Sequence, residues 1–143
     1  MAEHARIQAE VLTPEGKLYE GELFQVSART VVGEVGVRAR HAPMLARLVP
    51  SELRLYEDEG DFDSSGGKHF VAAEGWLEVF ANKVTVLVAE AHAPDELDTA
   101  ALEERVADAE QRMGESEEGS AAYETAEADL ERAQAFLKAA RGE

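Results

Sequence analysis

The fold is decided by a stretch that reads GEVGVRARHAPML and runs from Gly33 to Leu45. The residues around it alternate between apolar and polar side chains, which is the period of β-strands. The composition changes after Pro94. Residues 1–94 contain all four prolines and eight of the eleven glycines, whereas residues 95–143 contain no proline, twelve alanines, fifteen acidic residues and five basic ones. The change predicts two domains, a β domain over residues 1–94 and a helical domain over residues 95–143.

Short strands separated by turns fill the first domain, and this pattern favours an antiparallel sandwich or barrel over a parallel sheet with crossover helices. The run Val84–Val88 is apolar at nearly every position, as expected of a strand buried on both faces. We expect Trp76 to pack beneath that strand as a core residue. Residues 57–67 are acidic and end in two glycines, so they predict an exposed hairpin loop.

The second domain predicts an antiparallel helical hairpin. Asp98 and Ser120 are the expected N-cap residues of its two helices, because their side-chain oxygens can accept from unpaired backbone N–H groups. Each helix carries one apolar stripe at heptad-like spacing. The stripes consist of Leu102, Val106, Ala109 and Met113 in the first helix and Tyr123, Ala126, Leu130, Ala133, Leu137 and Ala140 in the second. Since alanine contributes little burial, this seam is expected to be weakly held.

Charge is segregated along the second helix and the loop before it. Residues 115–131 contain seven acids and no base, whereas residues 132–141 contain three bases, Arg132, Lys138 and Arg141, and no acid. The arrangement matches the helix dipole, which favours anions at the N-terminus and cations at the C-terminus. It is also suited to docking on an acidic partner surface. The residues alone leave both interpretations open.

Composition excludes several function classes. The absence of cysteine removes disulfides, zinc–thiolate sites and cysteine nucleophiles. A formal net charge of −16 argues against nucleic acid or anionic lipid as the main partner. No apolar run approaches the roughly 20 residues that cross a bilayer, and the N-terminus lacks the apolar stretch of a secretory signal. These features predict an intracellular protein that does not insert into lipid.

Catalytic motifs are missing from the chain as well. It contains no phosphate-binding glycine loop and no nucleophile elbow. The four histidines, His4, His41, His69 and His92, show no spacing typical of metal ligands. We therefore predict no catalytic residue, no metal and no cofactor. From the residues alone, the chain is predicted to be a β-sandwich binding module with a helical arm.

Six segments, in this order and spacing, resemble the epsilon subunits of F-type ATP synthases, called delta in mitochondria. The resemblance covers essentially the whole chain, because the helical hairpin follows the last segment. The matching segments are Leu12–Gly16 with Tyr19–Gly21, Gly33–Val37, His41–Leu45, Pro50–Arg54, Gly75–Val79 and Asn82–Leu87.

The resemblance implies a sandwich of about ten strands, a two-helix C-terminal domain and a non-catalytic role in the central rotor. Such a subunit bridges the gamma subunit and the ring of c subunits, and it lies peripherally at the cytoplasmic face of the bacterial membrane. The residues implied to face the c-ring are Gly33, Glu34, Val35 and Gly36. Those implied to contact gamma are His41, Ala42, Pro43, Met44 and Leu45.

The resemblance also implies a regulatory role for the hairpin. In many bacterial members the helices extend along gamma and inhibit ATP hydrolysis, with basic residues of the second helix reaching the catalytic beta and alpha subunits. Arg132, Lys138 and Arg141 are the candidates here. Members that bind ATP carry an arginine in an Ile/Leu-Asp-x-x-Arg-Ala signature, and this chain has Ala101 at that position. We therefore expect weak or no ATP binding, with Asp98 acting only as an N-cap.

One departure from the family concerns the turn before His41. The usual Pro-Gly pair is replaced by Ala39-Arg40, which adds a cation and predicts a different turn. The alternative to a rotor subunit is an unrelated cytoplasmic adaptor or chaperone-like module with a coiled-coil arm. That protein would share the fold class but would need no gamma partner.

Overall fold

The structure, a computed structural model, describes residues 5–63 and 66–142. It divides the chain into two compact units, Met1–Ala91 and His92–Glu143. The division falls three residues before the boundary expected from composition. The first unit is a β module and the second is a helical hairpin, in agreement with the predicted fold class.

Ten strands form the β module. Most are five to eight residues long and are separated by tight turns, as the positions of proline and glycine predict. The strands are β1 (Ile7–Thr13), β2 (Gly16–Leu23), β3 (Gln25–Thr30), β4 (Gly33–Val37), β5 (Met44–Leu48), β6 (Ser51–Tyr56), β7 (Lys68–Ala72), β8 (Gly75–Phe80), β9 (Lys83–Val88) and β10 (Ala91–His92).

The strands are hydrogen-bonded in the order β10-β7-β6-β3-β5-β8-β9-β1-β2, and β4 pairs with β3 beside this path. Among the described residues, the strand pairs within β1–β9 are antiparallel with one exception, the parallel pair of β1 and β9, in which Gln8 lies opposite Lys83 and Leu12 opposite Leu87. This pair joins the N-terminal strand to the last long strand of the module. The architecture confirms the predicted sandwich of about ten strands.

The core is built from every second residue of these strands. Ile7, Leu23, Leu55, Leu77 and Val86 are among its largest fully buried side chains. Their alternation with exposed residues means that most strands have one buried face and one outer face, whereas Phe70, Val71 and Ala72 of β7 are buried in succession.

Two core predictions made from the sequence are wrong for this reason. Val84, Val86 and Val88 are buried, but Leu87 is 48% exposed, so β9 is covered on one face only. Trp76 lies opposite Leu87 in the next strand and is also 48% exposed. Both side chains belong to the outer face, and Trp76 does not pack beneath β9.

The acidic connection between β6 and β7 is more ordered than the exposed loop that its composition predicts. It contains a short helix, α1 (Glu59–Asp63). Phe62 of this helix packs edge-on against Tyr56 and Phe24, with ring centroids 5.2 Å and 6.3 Å away, and the Arg38 guanidinium lies 4.5 Å from the Phe24 ring centroid. One aromatic side chain thus anchors the connection, whose residues 64 and 65 lie outside the described part of the chain.

The second unit begins with a 3-10 turn (Pro94–Glu96) and continues with α2 (Thr99–Gly114) and α3 (Ala121–Ala140). Asp98 caps α2, because its side chain accepts from the backbone N–H groups of Ala100 and Ala101. Ser120 caps α3 by accepting from Tyr123. Both predicted N-caps are confirmed.

The seam between the helices contains the predicted alanines and one residue that the stripe omitted. Ala109, Ala126 and Ala133 are fully buried, so the two backbones can approach closely. Phe136 is the largest fully buried side chain of the hairpin and lies beside the predicted Leu137. Ion pairs join the helices at two further points, Arg112–Asp129 at 2.9 Å and Arg141–Glu103 at 2.8 Å.

Candidate interaction site

The segment His41–Leu45 leaves β4 through a turn and enters β5. The turn is closed by a hydrogen bond from the His41 N–H to the Arg38 carbonyl at 3.2 Å. The Nδ1 of His41 lies 2.7 Å from the carbonyl oxygen of Ala42 and therefore donates to it. Ala42 and Pro43 are exposed, and β5 begins at Met44. The segment thus presents its backbone and small side chains at the surface.

Asn82, in the turn between β8 and β9, fixes the start of this segment. Its Oδ1 accepts from the Arg40 N–H at 2.9 Å, and its Nδ2 donates to the Arg6 carbonyl at 3.0 Å. Its own carbonyl accepts from the Gln8 N–H at 3.2 Å. A single amide side chain therefore links the turn before His41 to the β8–β9 turn and to the chain entering β1.

The outer face of the sheet next to this segment is apolar. Leu45 is 67% exposed and Phe80 is 65% exposed. Leu45 lies opposite Glu78 in the β5–β8 register, which places Trp76 and Phe80 on the same face at the two diagonal positions. Leu87 extends the apolar area to β9. Trp76, Phe80 and Leu87 were not predicted as site residues from the sequence. A signal was present, because apolar residues occupy both odd and even positions of these strands, and successive positions point to opposite faces of the sheet.

Met44 faces the other way. It lies opposite Val79, which is buried, and it packs against the core. Of the segment implied to contact gamma, Leu45 therefore presents its side chain on the outer face, and Met44 supports the strand from within.

The segment Gly33–Gly36 forms most of β4, in a hairpin with β3. The Thr30 hydroxyl accepts from the Val32 N–H at 3.2 Å and donates to the Gly33 carbonyl at 2.7 Å, so it holds the turn closed. Gly33 has φ 128°, a conformation that favours glycine. Val32 is 93% exposed at the tip.

Glu34 and Val35 of β4 differ in accessibility. Glu34 is exposed, opposite Arg29, and Val35 is partly buried against the core. Gly36 is exposed, but a Cβ there would lie 2.8 Å from Nε2 of Gln25, so a side chain would have to displace that amide. The hairpin therefore offers a rigid support with a carboxylate and an apolar side chain at its tip.

Two ion pairs neutralise part of the outer face near β1. Glu10 lies 2.6 Å from Nζ of Lys83 and 3.9 Å from Nζ of Lys17. The hydrogen bond from Lys83 is the main cause that lowers the pKa of Glu10. Glu10 therefore partly neutralises the positive charges of Lys17 and Lys83 within the sheet.

The two basic residues of α3, Arg132 and Lys138, and its C-cap residue Arg141 are not equally available to a partner. Arg141 pairs with Glu103 of α2 at 2.8 Å, and Arg132 lies 3.8 Å from Asp129. Lys138 is exposed and forms no ion pair with the residues that the structure describes. In the folded hairpin, two of the three cations are engaged by the hairpin's own acids.

No group of three metal-ligating side chains forms among residues 5–63 and 66–142. His41 and His69 each contact a backbone carbonyl, and His69 also contacts Glu52 at 2.7 Å. His92 lies against the Phe136 ring, and His4 lies outside the described residues. The Asp98 carboxylate is occupied by its helix cap.

Comparison with known proteins decides the family. A sequence model described as "ATP synthase, Delta/Epsilon chain, beta-sandwich domain" matches residues 6–94. The ATP synthase epsilon chain of Halorhodospira halophila is 41% identical over 98 residues, 68% of this chain and 67% of the relative. That of Priestia megaterium is 37% identical over 98 residues, 68% of this chain and 69% of the relative. The chain belongs to the ATP synthase delta/epsilon family.

Solved structures of mitochondrial ATP synthases share the fold. A chain in the Euglena gracilis enzyme superposes with a TM-score of 0.74 at 23% identity, covering 94% of this chain and 81% of that one. A chain from the central stalk and c-ring of the Tetrahymena thermophila enzyme gives a TM-score of 0.60 at 19% identity, covering 97% and 99%. The resemblance inferred from the six segments is confirmed.

Family membership makes the chain a structural or regulatory subunit of an ATP synthase and not a catalytic one, with other ATP synthase subunits as its partners. Family membership also excludes the alternative hypothesis of an unrelated adaptor protein. No helix in the described part of the chain is long and apolar enough to cross a membrane.

Proposed function

We propose that the β module docks on the gamma subunit through His41–Leu45 and the adjoining outer face, and faces the c-ring through Gly33–Gly36. The observation that carries the proposal is the exposed apolar cluster of Leu45, Trp76 and Phe80 beside the segment. Contiguous exposed apolar side chains on a soluble domain are typical of protein–protein interfaces.

The two proposed contacts lie at opposite ends of β4. The strand runs from Gly33 to Val37, five residues that span about 13 Å. Val37 is buried in the core, and β4 is paired along its length with β3. A torque applied at one end is therefore passed to the other through a packed strand, which suits a subunit that bridges two rotor parts.

Size-exclusion chromatography with the gamma subunit of the same organism tests this proposal. Leu45→Asp places a charge on the outer face, where it would lose the burial of a leucine, about 1.5–3 kcal/mol, and we expect at least a tenfold weaker complex. Val32→Asp is the matched control, because Val32 is more exposed and lies at the other contact. His41→Ala reports on the turn, whereas Met44→Ala is avoided because Met44 packs against the core. Unchanged co-elution of Leu45→Asp would refute the interface.

We further propose that the hairpin is a regulatory arm that reaches the catalytic beta and alpha subunits through Arg132, Lys138 and Arg141. The alanine seam and the ion pair of Arg141 with Glu103 are contacts that an extended arm would exchange for contacts with a partner. Deleting residues 95–143 should raise ATP hydrolysis by the assembled catalytic complex. Lys138→Gln should give part of that increase without disturbing the fold. Unchanged hydrolysis in the deletion would reject inhibition.

Weak or no ATP binding is proposed for this hairpin. Ala101 stands where ATP-binding members have an arginine, and an alanine cannot pair with phosphate. Asp98 already accepts from Ala100 at 3.0 Å and Ala101 at 3.3 Å. Micromolar binding in a calorimetric titration would contradict this proposal. We also propose that the subunit lies peripherally at the cytoplasmic face of the bacterial membrane, held there by its protein partners without inserting into lipid.

A further inference from the structure

Arg40 has a backbone conformation that its side chain disfavours. Its φ is 66°, in the left-handed region where a residue with a Cβ is strained. Glycine would adopt this conformation at little cost, and asparagine at less cost than arginine. A strained residue of this kind persists only when the surrounding structure holds it in place.

The hydrogen bonds described above provide that constraint. The Arg40 N–H is held by Oδ1 of Asn82 at 2.9 Å, and Asn82 is itself in the left-handed region with φ 59°. Any amino acid except proline would supply the same N–H. The arginine side chain is therefore not needed for the turn, and a glycine would fold there with less strain.

The guanidinium of Arg40 is exposed and forms no ion pair with any residue in the described ranges 5–63 and 66–142. The nearby lysines differ, because Lys83 is bound to Glu10 at 2.6 Å and Lys17 to Glu20 at 3.0 Å. The chain as a whole carries 30 acidic residues against 14 lysines and arginines. Arg40, directly before His41, and Arg47, opposite Trp76, are thus two exposed arginines on a strongly acidic protein that form no ion pair with the described residues.

We propose that Arg40 is a specificity-determining contact that receives a carboxylate of the partner docked on His41–Leu45. The inference rests on the proposed gamma interface and specifies its chemistry. An acidic protein repels an acidic partner, so the unpaired arginine at the turn before His41 offers a partner carboxylate a site beside the apolar contact. Arginine suits this role because its planar fork binds both carboxylate oxygens. Asn82 is the positioning residue, because it orients the backbone from which Arg40 projects.

The test separates a recognition role from a structural one, because the two predict opposite changes. Arg40→Gly relieves strain and should raise the melting temperature of the free protein by about 4 °C, yet it should raise the dissociation constant for gamma about tenfold, which corresponds to about 1.4 kcal/mol. Arg40→Gln should weaken binding to a similar extent and should reduce the dependence of affinity on salt. A structural residue would lower stability and affinity together.

Arg29→Gln is the matched control, because Arg29 is also exposed and has no ion pair with the described residues, but it lies on β3 opposite Glu34. Calorimetric titration of the variants with gamma at two salt concentrations gives the dissociation constants, and thermal unfolding of the free variants gives the melting temperatures. Wild-type affinity in Arg40→Gly and Arg40→Gln would overturn the inference while leaving the docking proposal intact. An equal loss in Arg29→Gln would overturn it too, since net charge would then be the cause. Failure of the wild-type chain to bind gamma would instead refute the proposed function itself.

Discussion

Phe136 should determine whether the helical hairpin folds. Its ring is fully buried, lies edge-on to His92 with centroids 5.5 Å apart, and has the Arg105 guanidinium 5.7 Å from its centroid. Phe136→Ala removes these contacts and leaves a cavity in a seam otherwise made largely of alanine. Substitutions of this kind in protein cores cost about 3–5 kcal/mol.

That cost is comparable to the whole stability of the unit. Residues 92–143 form the hairpin, and at about 0.05–0.15 kcal/mol per residue a unit of this size has a free energy of unfolding of about 3–8 kcal/mol. We therefore expect Phe136→Ala to leave the hairpin largely unfolded at room temperature. Phe136→Leu keeps most of the buried volume and should cost about 1.5 kcal/mol.

Two probes follow the two units separately. Far-ultraviolet circular dichroism reports mainly on the helices, and the fluorescence of Trp76, the single tryptophan, reports on the β module. In Phe136→Ala the helical signal should be lost while the Trp76 transition stays near the wild-type temperature. A cost below about 1 kcal/mol, or the loss of both signals together, would refute the reasoning that Phe136 holds an independently stable hairpin.

Two further predictions concern the β module. Gly75→Ala should destabilise the β module by about 3 kcal/mol, because a Cβ there would overlap the Leu87 carbonyl oxygen and lie 2.8 Å from the Val88 Cα. Denaturant titration measures this loss of stability. Gly114→Ala is the control, because the space around Gly114 is open. Burial alone would raise the pKa of Glu52, but its pairs with Arg54 and His69 outweigh burial and hold that pKa below 4.5. The stability they supply is therefore present above the unfolded pKa and lost as the pH falls through the folded one. Glu52→Gln should melt lower than wild type at about pH 7, and the difference should shrink as the pH falls through the folded pKa of Glu52. A difference independent of pH would contradict this account.

The strands and helices could be predicted from the sequence because alternation, turn residues and caps are local signals. Asp98 and Ser120 show this most directly, since each stands before a helix and caps it. Burial could not be predicted as well. Val84–Val88 is apolar throughout, yet hydrophobicity alone does not reveal whether a second layer covers a strand. Leu87 and Trp76 are exposed at a proposed docking face, where a partner would supply that layer.

Phe136 and Arg40 illustrate two other limits of sequence-based prediction. Phe136 packs against His92, which lies more than 40 positions earlier, and helical periodicity carries no information about such a contact. The departure at Arg40 was visible, because the family has glycine there, but its backbone angle depends on a hydrogen bond to Asn82. The side chains of the segment implied to contact gamma point to different faces, Leu45 outward and Met44 inward. This difference can be assigned only when the register of β5 with β8 is known.

The parallel pair of β1 and β9 sets the order in which the chain can fold. Gln8 meets Lys83 across about 75 residues of intervening chain, and such distant pairing is slow because a long loop must close before any contact rewards it. The helices of the hairpin need only neighbouring residues and form early. The pairing of β1 with β9 is therefore expected to form late. The surface that would receive gamma, whose turn is tied by Asn82 to the chain just before β1, is complete only when the two ends of the β module have met.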